Sequence, residues 1–444
     1  MNLKREEIEE FKKKFVTSSK NLVIMNAVSS NSLTDVAVNR EFISRYNHTF
    51  SNEIKSMKIT NQKKSGRCWI FAGLNFMRYY VAKELNVEQI ELSQSYTMFW
   101  DKLEKANYFL ESIIQTANED LKSRLVSWLL WQLVGDGGQW GMFTNLVEKY
   151  GIVPKDVMKE SFHTSNSHIM NSLLRTKLRE DAMILRKAHE NGENEDSLRN
   201  LKHAMIEDIY RMLTINMGIP PENFDYEYKD KNGKFHRIRH ITPIEFYKEY
   251  AGVNLNNMVS LINCPTPDKD FLTTYTVQYL GNVVGGKDIL YLNVDLQEFK
   301  DVTIKAIIDD QPVWFASDVG KMMKRESGIL DTDLYNFEGV YDVRFVFNKA
   351  QRLDYGDSLM THAMVLSGVD LMDEKPLKWK VENSWGEDSG EKGYFVMGNK
   401  WFDEYVYEVV VDKKYLSDPM KEALKKKPIV LPPWDPMGSV ALVR

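Results

Sequence analysis

Two cysteines occur in the 444 residues, and one of them, Cys68, stands where a polar turn becomes a helix. Residues 61–80 read NQKKSGRCWIFAGLNFMRYY, and Ile70, Leu74, Met77 and Val81 then mark one helical face. A helix start offers unpaired N–H groups and the positive end of the helix dipole, which favour a thiolate over a thiol. A thiolate nucleophile also needs a base, a group that orients the base, and donors for an oxyanion. Such partners are usually remote in sequence. Of eight histidines, the one beyond His240 is His362, at the head of an apolar run. Asn383 follows in Val381-Glu382-Asn383-Ser384-Trp385-Gly386. Its amide oxygen can hold an imidazole in one tautomer, and Trp385 can shield that bond from water. Gln62, six residues before Cys68, can donate to an oxyanion together with the cysteine's own N–H. Each residue alone has a plainer reading: a small core thiol, a satisfied histidine at a strand start, an asparagine opening a turn.

The elements that must position these groups follow from periodicity and punctuation. Residues 1–20 read as a charged amphipathic helix, and 21–60 as a mixed lead-in. The helix after Cys68 is expected to end near Glu84. Ser93 is placed to cap a helix over 93–100, with further helices through 133. The cluster Gly135-Asp136-Gly137-Gly138-Gln139-Trp140-Gly141 must turn tightly, and a helix over 142–150 stops at Gly151 and Pro154. Residues 161–213 are helical and highly charged, with 189–197 as an exposed connection. A hairpin turns at Asp230-Lys231-Asn232-Gly233, and a short helix starts at Thr242-Pro243. Thereafter strands dominate: 288–293, 311–317, 360–370, 377–383 and 393–397, with a helix over 302–309. Helices first and strands later predict an α+β arrangement of two packed lobes.

Composition sets outer limits. Hydrophobic residues make up 43% and charged residues 27%, enough for a sizeable core under an ordinary solvated surface. A net charge of −5 gives no global attraction to nucleic acid or anionic membrane. Two distant cysteines exclude a disulfide framework and four-cysteine zinc sites, and no metal site is expected. The charged N-terminus lacks the apolar stretch of a signal peptide, and no apolar run is long enough for a membrane span. Cys264 reads as structural. A cytoplasmic protein is the expectation.

The motif Q-x5-C-W, a later H-A, and NSWGEDSGEKGYFVM over 383–397 together resemble the papain-like cysteine peptidases. Gly66-Arg67-Cys68-Trp69, Asp136-Gly137-Gly138-Gln139-Trp140, the run 149–155 and Pro433-Trp434-Asp435-Pro436-Met437-Gly438 resemble the branch of bleomycin hydrolase and bacterial aminopeptidase C. The resemblance implies a two-lobed core, a helical lobe and a β-barrel-like lobe, with a large, mainly helical insertion. Its divisions would be a lead-in arm (1–60), a helical lobe (61–155), an insertion serving oligomerisation (156–287), a β-rich lobe (288–420) and a C-terminal arm (421–444). It implies a cysteine aminopeptidase of broad specificity acting on peptides through a thioester, without cofactor, as a homohexamer. Cys68 would be nucleophile, His362 base and then acid, Asn383 its orienter, and Gln62 the oxyanion donor. Trp385 would cover the Asn383–His362 bond, and Gly137 and Gly138 would contact substrate main chain. Gly141 stands where this branch leads us to expect an acidic residue. The C-terminal residues would run into the cleft and select a free amine; without them the enzyme would act as an endopeptidase. The basic runs 321–325 and 425–427 are weighed as a nucleic-acid interface, and read more simply as solvated faces.

Overall fold

The computed structural model describes residues 2–442, so Val443 and Arg444 of the expected arm lie outside the described residues. Thirteen of the seventeen residues of the helix Cys68–Glu84 are buried, an apolar surface all round that marks it as the centre of a packed lobe. Around it lie the helices Gln94–Gln115, Arg124–Trp131 and Trp140–Tyr150. Ser93 caps the first of these by accepting from the Tyr96 N–H at 3.1 Å. That helix is continuous well past the expected 93–100. Gly151 ends the helix Trp140–Tyr150 at φ 74°, a conformation that suits glycine.

Two long helices, His168–Glu190 and Glu195–Met217, form a hairpin whose connection is only residues 191–194, shorter than expected because Asn194 caps the second helix. Leu174, Leu178, Leu185, Ile209 and Leu213 from this pair join the same apolar core as Phe76, Phe99 and Leu110. The insertion is thus packed onto the helical lobe. The expected hairpin is present as Phe224–Lys229 and Phe235–Ile241, and Thr242 caps the helix Pro243–Tyr250 through a capping box.

One twelve-stranded sheet organises the rest. Its central strands are Met258–Ile262, Val406–Asp412, Val313–Ser317, His362–Met372, Lys375–Glu382 and Tyr394–Gly398, antiparallel in that order. Residues alternate between two cores, as a period of two requires. Trp314, Ala316, Ala363, Val365 and Val410 face the helical lobe. Val313, Phe315, Met364, Leu366, Val409 and Val411 face the second core, with the helices Leu296–Ile308 and Asn399–Tyr405. A sheet buried on both faces explains why these strands read as unbroken apolar runs. The strands Met258–Ile262 and Thr273–Val277 were not anticipated; both lie in the expected insertion and pair into the main sheet. Residues 19–30 also form a helix where a mixed lead-in was expected, since consecutive apolar residues 22–25 hide its period.

After the strand Ile429–Leu431, which pairs with Thr273–Val277, the chain turns back toward the junction of the two cores. Arg124 lies 3.6 Å over the Trp434 ring, buried Lys269 pairs with Asp435 at 3.0 Å, and the Ser439 hydroxyl donates to the Met360 carbonyl at 2.9 Å.

Candidate active site

Cys68 is the first residue of its helix, and Arg67 before it has non-helical backbone and no capping side-chain bond. The first-turn N–H groups and the dipole are therefore aimed at the thiol, with no acidic side chain in that turn to oppose them. Arg67 itself is buried and held, forking onto Glu160 at 3.0 and 2.8 Å and donating from Nε to Ser65 Oγ at 2.9 Å. A bidentate bond of this kind fixes the turn that delivers the cysteine.

His362 opens the central strand His362–Met372, and Asn383 directly follows the neighbouring strand Lys375–Glu382. Adjacent strands bring the two side chains together, with His362 Nε2 2.8 Å from Asn383 Oδ1. That oxygen also accepts from the Ser384 N–H at 2.7 Å, which fixes the amide orientation. An amide oxygen only accepts, so Nε2 carries the hydrogen and Nδ1 is the basic nitrogen. The Trp385 ring lies 4.8 Å from the imidazole, and Arg325 stands 4.8 Å over the other ring in turn. Burial pushes the His362 pKa down to about 4; Arg325 adds to this and the Asn383 bond opposes it.

Gln62 accepts from Ser384 Oγ at 2.7 Å and donates through Nε2 to the Ser65 carbonyl, also at 2.7 Å. One amide hydrogen is thereby used to orient the group and the other is left for a ligand. Gln62, Cys68 and His362 line one cleft of about 180 Å³ with Gly66, Gly135, Asp136, Gly137, Thr361 and, from the insertion, Asn171 and Arg175. Val440 and Leu442 line it too. A Cβ on Gly137 would collide with the Val440 carbonyl and stand 3.2 Å from Ala441 Cα, so the C-terminal arm lies against this glycine. Gly138 is placed otherwise: a Cβ there would come within 2.5 Å of the Trp69 ring. Gly141 backs onto Ile289, where a Cβ would meet its Cδ1 at 2.7 Å.

The contacts that shape the cleft carried no recognisable signal, even where a residue such as Asp136 stood in a motif. Asp136 Oδ1 accepts from Lys102 at 2.6 Å and Asn171 at 2.8 Å; its Oδ2 accepts from the Gly66 N–H at 2.9 Å and Ser167 at 2.5 Å. These donors hold its carboxyl well below the usual range despite burial. Lys102 also donates to the Gly135 carbonyl at 2.6 Å and Lys105 to that of Gly137 at 2.5 Å. Two buried lysines of one helix thus clamp the glycine loop.

No group of metal-ligating side chains exists among the described residues, and no helix among them is long and apolar enough to cross a membrane. The basic runs are partly paired locally: Lys321 with Asp357, Lys324 with Asp35 and Glu326, and Lys425 with Glu422.

A fold of helical and sheet cores meeting at a cysteine on a helix start, with His and Asn on neighbouring strands, is that of a papain-like cysteine peptidase. The chain belongs to the Peptidase C1-like family, whose model matches residues 2–438. It is 47% identical to Aminopeptidase C of Listeria innocua over 98% of both chains. It is 42% identical to bleomycin hydrolase of Homo sapiens, covering 95% of this chain and 94% of that one. The crystal structure of PepW from Lactobacillus rhamnosis superposes with a TM-score of 0.97 at 46% identity, over 99% of both chains.

Proposed function

We propose that Cys68, His362, Asn383 and Gln62 form the catalytic set of a cysteine aminopeptidase that releases N-terminal residues from peptides. His362 Nδ1 takes the thiol proton as Cys68 Sγ adds to the scissile carbonyl carbon. The resulting oxyanion is met by the Gln62 amide and the Cys68 N–H. Collapse breaks the C–N bond, the leaving amine takes the proton from His362, and a thioester remains on Cys68. Water, deprotonated by His362, then hydrolyses the thioester and restores the thiol. Asn383 keeps Nε2 protonated throughout, as the orienting group of such a triad does.

The observation that carries the exopeptidase reading is the arm. Val440 and Leu442 share the cleft with the thiol, and Val440 and Ala441 lie on Gly137, where a longer acyl-side peptide would pair its backbone. The cleft thus accommodates a chain end. Hydrolysis of paired peptides with free and acetylated N-termini tests this: only the free forms should turn over, and equal rates would refute it.

The same reading extends to assembly and compartment. Exposed apolar side chains on the helix pair and beside it, Ile169, Leu173, Met183, Ile215 and Ile219, support burial against further copies, which we take to be a homohexamer. Sedimentation of the purified protein checks it, and a monomer would end that part. Two cysteines with no disulfide between them suit the reducing cytoplasm.

A further inference from the structure

Arg175 lies in the catalytic cleft with no hydrogen bond or ion pair among the described residues. Its place follows from its helix. Asn171 and Arg175 are one turn apart on His168–Glu190 and so share a face. Asn171 donates to Asp136, which fixes that face against the loop 135–137. Gly66, the loop 135–137 and Arg175 line the same cleft as the thiol, together with Val440 and Leu442 of the arm. The proposed function sets the arm on the acyl side, so Arg175 borders the place of the residue being removed.

Among the described residues, no neighbouring acid serves this guanidinium. Asp136 is the carboxylate in the cleft, and its two oxygens already take four donors, including the balancing charge of Lys102. Positions three and four residues away on the helix are Ser172, Asn171, Leu178 and Arg179, none acidic. Residues 438–442 of the arm carry no acid either. A guanidinium is charged at any physiological pH and matches a carboxylate bidentately.

We infer that Arg175 binds the side-chain carboxylate of an N-terminal glutamate or aspartate, making it a specificity residue for acidic N-terminal residues. This rests on the aminopeptidase reading. A charge-assisted hydrogen bond at a partly desolvated site is worth about ten- to a hundredfold in affinity.

The test compares glutamyl- and glutaminyl-arylamides, which differ in charge but scarcely in shape and carry no carboxylate on the leaving side. In the unaltered enzyme kcat/KM should favour the glutamyl substrate by roughly tenfold or more. Arg175→Gln should bring that ratio close to one, and Arg175→Lys should retain part of the preference. A ratio near one in the unaltered enzyme, or one that Arg175→Gln leaves unchanged, would overturn the inference while the aminopeptidase reading stands. Failure of the unaltered enzyme to cleave either substrate, or any other free aminoacyl-arylamide, would sink both.

Discussion

Arg78 and Glu382 form a buried ion pair at 2.6 Å, joining the helix that carries Cys68 to the strand that ends beside Asn383. Glu382 Oε2 also accepts from the Tyr79 hydroxyl at 2.5 Å, and Arg78 Nη1 donates to the Lys58 carbonyl at 2.8 Å. The helix that starts at Cys68 and the strand that ends beside Asn383 are thereby fixed to one another. A buried pair contributes little net stability, but losing one partner strands the other charge.

Glu382→Gln should therefore destabilise the protein by about 3 kcal/mol in urea denaturation, since Arg78 keeps its charge in a buried site. Its kcat should fall while KM moves less, because the substrate does not touch the pair. The double variant Arg78→Met/Glu382→Leu should regain part of the stability and little of the activity. Equal recovery of both would show that the pair holds the fold and does not align the site.

The His362 imidazole gives a prediction with a sign. In Cys68→Ala no thiolate can form, activity is abolished, and burial keeps the ring neutral down to about pH 4 against about 6.5 in the unfolded chain. Between those values the unfolded state takes up a proton that the folded state refuses. Stability from this group is thus full above about pH 6.5 and is lost as pH falls to 4, a change of up to about 3 kcal/mol. Cys68→Ala/His362→Gln should show a shallower loss over that window in denaturant titrations. Imidazole proton shifts in Cys68→Ala should likewise show His362 titrating well below the ordinary histidine value.

How far the sequence reaches is visible in these same residues. Cys68, His362 and Asn383 were legible because a helix start, a strand head and a strand end each leave a local mark. Glu382 adjoins Asn383 and Arg78 shares the helix of Cys68, yet both were silent, since a buried charge depends on a partner some three hundred residues away. Asp136 was visible as part of a glycine-rich motif, but its pairing with Lys102, Ser167 and Asn171 was not, since those partners lie on other elements, and Arg175 was silent because nothing local says that its helix reaches the cleft. The strand Met258–Ile262 went unseen because a short apolar run has no period to separate strand from helix. The glycine pair was read as one unit, yet Gly137 meets the arm and Gly138 meets Trp69.

In the proposed mechanism, Gln62 is the residue through which transition-state stabilisation can be separated from binding. With Ser384 and Ser65 holding its amide, the remaining N–H is oriented before the oxyanion forms. Gln62→Ala should lower kcat by roughly a hundred- to a thousandfold with a small effect on KM. Ser384→Ala should cost much less, as it loosens the amide without removing it. Steady-state kinetics on one aminoacyl-arylamide decides, and a Gln62→Ala effect confined to KM would remove Gln62 from the oxyanion site.

The arm can be shortened without unpacking it. Met437 is fully buried and the Ser439 hydroxyl is bonded to the Met360 carbonyl, so both must be kept. A chain ending at Ser439 loses Val440 and Leu442, which line the cleft, and frees the surface of Gly137 for a peptide backbone. Turnover of N-acetylated peptides should then appear, with cleavage at internal bonds, while preference for a free amine falls at least tenfold. Gly137→Ala in the full-length chain should act in the same direction, because its Cβ would push the arm outward at Val440. The added methyl would also impede the incoming backbone, so its gain on acetylated peptides should be smaller than that of the truncation. Mass spectrometry of the products reads both variants. Release of single N-terminal residues by the truncated enzyme, with acetylated peptides still untouched, would mean that the selection of chain ends lies elsewhere in the cleft.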